Sequence, residues 1–388
     1  MKKTLIAAAV AAAVAAPAAS AGVVIYGQIH VGIDYIDRDF SGDSFREICT
    51  VGQGCRVVGE SEPDNRQLFK GWEVNNHTSR IGFKGSEDLG NGLKAIWQME
   101  NSVRITDTGS TEWSHDGSKG HWSSARNAYI GLAGDWGTFL YGRHDTPYKI
   151  AFYSTGIDML GDSIIDVNSL YGISEVRADD AIAYVSPNWN GFTIAAAIVP
   201  GEGYTDSAGE VYDGLADNYS IAAMYSNNGM KLAIGYEELD AGLDATFAAA
   251  GSSLTCVDGG CSNAMIGAGY SMNAFDISAV YIEQERGPDE SDVWALSAAY
   301  TFGNNKVIGT YGQNDYGADD ITGYGLALQH MLSKRTSAYL AYASQSDVPT
   351  TIIDSTSSIG EGGDATETLG AIGFTDTSAF SFGMIHKF

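Results

Sequence analysis

Charge is scarce in this chain of 388 residues, at 18% of the total. That is well below the usual quarter, and with 48 glycines it fits poorly with a helical enzyme or a coiled coil. Bases are scarcer still: 22 Lys and Arg stand against 48 Asp and Glu, for a formal charge of −26. Such an excess repels a phosphate backbone and excludes nucleic acid as a partner. Beyond the first two dozen residues no apolar run approaches the roughly 18 needed for a spanning helix. A helical membrane protein is therefore excluded. Catalytic signatures are missing as well: there is no HExxH, no GxSxG and no phosphate-binding GxxxxGK[ST], and the seven histidines are scattered. His144 beside Asp145 is read as lining a mouth, not as a catalytic pair. No cofactor is implied. Aromatic residues, at 11% with 21 Tyr, speak against disorder. What remains is a large all-β protein, either secreted and soluble or a transmembrane barrel.

Residues 1–21 read as a secretory signal. Lys2 and Lys3 form the positive start, Leu5 to Ala16 the apolar stretch, and Ala19-Ser20-Ala21 an A-x-A cleavage site. The mature domain then covers 22–388. The four cysteines fall as two close pairs, Cys49 with Cys55 and Cys256 with Cys261. Neither has C-x2-C spacing, so zinc is the poorer reading, and no metal is assigned. In an exported protein two local disulfides are expected, each worth roughly 2 kcal/mol at most.

Turn signals punctuate the mature chain at regular distances. They occur around Gly90, Asp135, Trp189, Asn228, Met272, Asn304 and Lys334. Each is a plausible tight hairpin, and the spacing of roughly 30 to 55 residues leaves room for two strands and one long polar connection. The flanking segments alternate. Trp294, Leu296, Ala298, Tyr300 and Phe302 share one face while Ser297, Ala299 and Thr301 share the other. Ile25, Ile29, Val31 and Ile33 oppose Tyr26, Gln28, His30 and Asp34 in the same way. Aromatics sit at the ends of several apolar faces, as suits a hydrocarbon band between two interfacial girdles. Seven hairpins and one strand at each terminus make sixteen. The expectation is an all-β, sixteen-stranded antiparallel transmembrane barrel with short periplasmic turns, long extracellular loops and strands of about eleven residues, wide enough to hold water.

The stretch Ser79-Arg80-Ile81-Gly82-Phe83-Lys84-Gly85-Ser86-Glu87-Asp88-Leu89-Gly90-Asn91-Gly92-Leu93-Lys94-Ala95 closely resembles the second hairpin of Gram-negative general diffusion porins of the neisserial type. Arg126 to Gly134 and Gly142 to Pro147 are similar to that family's third hairpin running into its constriction loop, and Ile25-Tyr26-Gly27 and His386-Lys387-Phe388 match at the two ends. The resemblance implies a homotrimer whose third loop folds into each pore. It also implies that the final strand ending in Phe388 is the signal read by the barrel-assembly machinery, with membrane lipid around the apolar faces. On that reading the stretch from Tyr148 to Val176 is the inserted loop, and its acids Asp158, Asp162, Asp166 and Glu175 face a basic wall. Alternation points Arg80 and Lys84 into the lumen and puts Arg104 on the same side; Arg143 is ambiguous by parity. The function implied is passive diffusion of ions and small hydrophilic solutes across the outer membrane. A mild cation preference is expected from the acidic loops. The alternatives are a substrate-specific channel and, in other classes, a barrel enzyme or a secreted adhesin.

Overall fold

The computed structural model describes residues 22–50, 54–57, 62–106, 122–205, 211–239, 247–249, 252–254, 261–286, 289–317, 320–359 and 365–388. The leader read at 1–21 and Cys256 lie outside them. The period-2 segments form strands, paired antiparallel with their neighbours into one closed sheet. In chain order they are β1 (Val24–Thr50), β2 (Pro63–Asn76 and, after a break, Arg80–Gly90), β3 (Leu93–Val103), β4 (Trp122–Gly134) and β5 (Gly137–Asp145). There follow β6 (Arg177–Val185), β7 (Phe192–Val199), β8 (Asn218–Asn227), β9 (Met230–Leu239), β10 (Cys261–Met272) and β11 (Phe275–Arg286). The last five are β12 (Asp289–Phe302), β13 (Asn305–Asp315), β14 (Asp320–Met331), β15 (Thr336–Ile359) and β16 (Ala365–Lys387). The two halves of β2 both pair with β1, the first from Val31↔Asn76 upward and the second from Gln28↔Arg80 downward, so they count as one wall strand interrupted at 77–79. That makes sixteen. The strand β16 closes on β1 from Gln28↔Lys387 to Thr50↔Ala365, and no free edge is left at the level of the band.

All seven tight turns fall where the sequence places them. Asn228 and Gly229, both at positive φ (51° and 84°), make the Asn-Gly hairpin that the twist of two strands favours. Alternation sorts the faces as expected. Phe275, Ile277, Tyr281, Trp294, Leu296, Tyr300 and Phe302 are exposed outward, while Ser278, Val280, Val293, Ala295 and Ser297 are buried inward. Aromatic pairs mark both margins of the outer band on these strands, with Trp294 against Tyr311 (5.4 Å between centroids) at one end and Phe275 against Tyr300 (4.6 Å) at the other. Among the described residues no helix is long and apolar enough to cross a membrane.

One expectation is corrected. Strands of about eleven residues hold for most of the wall, but β1 has 27 residues, β15 has 24 and β16 has 23. The pairing of β1 with β16 runs on without interruption past the band, because each added rung satisfies backbone groups that a loop would leave to water. Sequence assigned to long loops at the closure is therefore ladder. Cys49 faces Cys55 across a short return strand, Gly54–Val57, in the backbone register. Cys261 is disulfide-bonded.

Between β5 and β6 the chain makes two short helices, α1 (Pro147–Ser154) and α2 (Val167–Tyr171). Thr146 caps α1 by accepting from the Lys149 amide (3.3 Å), and Pro147 opens it where no amide proton is needed. Asp166 caps α2, accepting from the Asn168 amide at 3.0 Å. This segment supplies the large side chains of the main buried cluster: Tyr148, Phe152, Ile157, Ile165, Val167, Leu170 and Tyr171. The small residues beneath them, Ala195, Ala222, Ala233 and Ala295 among them, come from the inward faces of the strands.

Candidate functional site

The segment 146–176 is seated on the inward faces of β8 to β15. The Tyr148 amide donates to Ser220 Oγ (3.0 Å), Ser278 Oγ donates to the Thr155 carbonyl (3.1 Å), and Lys306 Nζ donates to the Met159 carbonyl (3.2 Å). Further along, Asn314 Nδ2 donates to the Tyr171 carbonyl (2.8 Å), Gln345 Nε2 to the Leu170 carbonyl (3.0 Å), and the Ser174 amide to Gln284 Oε1 (2.7 Å). Backbone approaches the wall so closely that a Cβ at Gly269 would lie 2.2 Å from the Thr155 carbonyl oxygen. The far side of the segment reaches β2, where Arg80 Nη1 lies 3.2 Å from Asp162 Oδ2. The interior is thus bridged from the β8–β15 wall to β2.

The root of the segment is clamped separately. Lys149 Nζ lies 2.9 Å from Glu175 and 3.4 Å from Asp145, and Arg177 lies 2.8 Å from Asp145. Glu175 also accepts from Tyr153 Oη (2.5 Å) and from Asn168 Nδ2 (2.6 Å).

These contacts divide the residues singled out by sequence. Asp162 and Arg80 are brought together. Glu175 is held in the root clamp. Asp166 serves as the α2 cap, and Asp158 Oδ1 accepts from the Gly161 amide (3.0 Å) in a turn. Lys84 faces inward with its ammonium 5.1 Å from the Tyr26 ring centroid. Arg104 lies just past the end of β3, half-buried. Arg143 turns along the wall, donating to the Ala125 carbonyl (3.0 Å) and pairing with Asp179 on β6. It meets none of the segment's acids.

The acids on the segment lie close enough to affect one another. Burial, and then the negative charge of Asp162, push the Asp158 carboxyl up to about 7. Burial and the charges of Asp158 and Asp162 raise Asp166 well above the ordinary carboxylate range too.

Sequence reasoning missed several inward groups. Arg126 pairs with Glu100 at 2.5 Å, but a bulge between Met99 and Asn101 shifts the β4 register, so simple parity could not place it. The β2 break turns His77 inward, with Nε2 2.9 Å from Asp34 Oδ2, and His30 Nε2 lies 3.0 Å from Tyr339 Oη. The odd spacing around Thr78, at φ 57°, was not legible as a break. Lys387 is inward by the alternation of β16, a signal that was present and unused.

A family model described as Gram-negative porin matches residues 6–348. Major outer membrane protein P.IA of Neisseria meningitidis is 34% identical over 208 residues, 52% of this chain and 47% of that protein. Major outer membrane protein P.IB of Neisseria gonorrhoeae is 28% identical over 230 residues, 59% of this chain and 55% of that protein. The matches thus span about half the length of these relatives. Among solved structures, an anion-selective porin from Comamonas acidovorans superposes with a TM-score of 0.60 at 19% identity, covering 95% of this chain and all of that one. OmpF of Salmonella typhi gives 0.57 at 15% identity, covering 95% of this chain and 98% of that one. At these identities the structures speak for the fold, a closed antiparallel barrel.

Proposed function

Since the chain belongs to the Gram-negative porin family, we propose that it forms a water-filled channel in the outer membrane through which ions and small hydrophilic solutes diffuse passively. The observation that carries this is the bridged interior: a sixteen-stranded barrel is wide enough for a water-filled lumen, and the segment 146–176 reaches across it to Arg80 through Asp162. A channel has no bond to break. Its working parts are a radius and a field, and here the field runs between Asp162 of the segment and Arg80 of β2. Neither the family nor the fold calls for catalysis. The acid excess of the chain enriches cations at the outer mouth, and the resulting mild cation preference fades as salt rises.

The unit is a homotrimer, as the family relationship suggests, with outward apolar faces against lipid. The strand ending in Phe388 is the element read by the assembly machinery; its last residue closes the barrel by exchanging two backbone hydrogen bonds with Gly27, both 3.1 Å. The test is single-channel recording of the purified protein with Arg80→Gln and Asp162→Asn. Conductance in steps of three and opposite shifts of ion preference in the two variants are expected. Failure of either variant to move conductance or preference refutes the assignment of the constriction.

A further inference from the structure

From the closure of the barrel we infer that Lys387 is a selectivity-determining residue of the constriction. This deepens the channel reading and rests on it. In the ladder, Gln28 of β1 faces Lys387 of β16 on one side and Arg80 of β2 on the other, so the three stand in one row across adjacent strands. All three point inward. Ser381, Gly383 and Ile385 are the buried positions of β16 that share the parity of Lys387, as His30 and Asp34 share that of Gln28. Two strand spacings put the Lys387 and Arg80 backbones about 10 Å apart at one depth of the lumen.

Charge arithmetic then separates them. Arg80 is matched by Asp162 at 3.2 Å, and the pair presents little net charge to a passing ion. Lys387, in the same row, forms no ion pair among the described residues. It is exposed to water. The remaining base on this face of β2, Lys84, lies four residues further toward the short turns and against the Tyr26 ring. Among the described residues of that row, the Lys387 ammonium therefore stands without an acid partner. It repels cations, attracts anions, and offsets the acidic mouth.

The experiment is a reversal-potential measurement on refolded trimers in planar bilayers under a KCl gradient, at low and at high salt. A unit charge several Å from the ion path, screened at about 0.1 M salt, changes a cation-to-anion permeability ratio about two- to threefold. Lys387→Gln is expected to raise the ratio by that factor, with the effect shrinking at about 1 M salt. Lys387→Arg restores the wild-type ratio, and Lys334→Gln, which removes a base from an exposed turn outside the row, leaves it unchanged. Gln28→Glu puts a carboxylate in the same row without touching the last residues of the chain. It must shift the ratio in the same direction, and it carries the test if Lys387→Gln yields no trimers. A ratio unmoved by Lys387→Gln or by Gln28→Glu, or moved equally by Lys334→Gln, overturns the inference while conduction by the wild type still upholds the channel. A wild type that does not conduct overturns both.

Discussion

The seat of the inward segment can be tested at one atom. A Cβ at Gly269 would stand 2.2 Å from the Thr155 carbonyl oxygen, where ordinary contact begins at 3.4 Å. Gly269→Ala must therefore open a gap of about 1.2 Å by moving one partner. β10 cannot yield easily, because it is laddered to β9 over Leu239–Met230 and to β11 over its full length. The segment yields instead. It lifts off the wall toward the passage and strains or breaks the bond from Ser278 Oγ to the Thr155 carbonyl, worth about 0.5–1.5 kcal/mol. With an overpacking term of about 1–3 kcal/mol the whole change costs about 1.5–4.5 kcal/mol, too little to unfold a barrel held by sixteen ladders. Single-channel conductance is expected to fall, with the heat-induced gel-mobility transition displaced only slightly. Gly309→Ala is the control: on the same barrel its Cβ meets only Leu326 Cδ2, at 3.5 Å. If Gly269→Ala conducts like the wild type and like Gly309→Ala, the segment does not rest on β10 and the constriction must be redrawn.

Acidification should act on the segment before it acts on the wall. Asp158, with its carboxyl near 7, takes up its proton as pH falls from about 8 to about 5.5, and Asp166, raised by burial and by the charges of Asp158 and Asp162, also holds its proton more tightly than an ordinary carboxyl. Cation preference should decline through that window; a flat reversal potential would contradict it. The sign for stability is opposite to that of an ordinary paired acid. Because the folded Asp158 carboxyl binds its proton more tightly than the unfolded one, its contribution improves as pH drops through about 7 and levels off near the normal carboxylate value. Thermal transitions measured between those limits check it. His77→Ala should take from buried Asp34 the partner 2.9 Å away, leaving it the Asn75 side-chain amide at 2.8 Å, and cost about 1–3 kcal/mol, read as a lower transition temperature in detergent. A transition unchanged by that substitution would mean that Asn75 alone satisfies the buried carboxylate.

Much of the fold was legible from local signals. The Asn-Gly turn at 228–229 and the alternation through 294–302 each depend on a few neighbouring residues, since φ at a turn and the side of a pleat are local properties. Counting them gave sixteen strands and the lumen-facing set that includes Arg80 and Lys84. Parity assigns a face, however, and not a neighbour. Arg143 was free to meet the inserted segment or the next strand, and a bulge at Gly142/His144 sent it to Asp179. Glu175 looked like a pore acid because nothing in its sequence surroundings announces Lys149, Tyr153 and Asn168 as partners across a folded-back loop.

The sequence by itself thus determined the repeating part of this protein: how many ribbons, which way each is wetted, and where the chain reverses. The tertiary structure alone decided which charges meet. Asp162 and Arg80 are 82 residues apart, and the row of Lys387, Gln28 and Arg80 exists only once the last strand has closed on the first. The physical reason is range. Backbone conformation and alternation are fixed within a few residues, whereas a Coulomb interaction depends on distance in space, and that distance is set by ring closure and by how one segment settles on the inner wall.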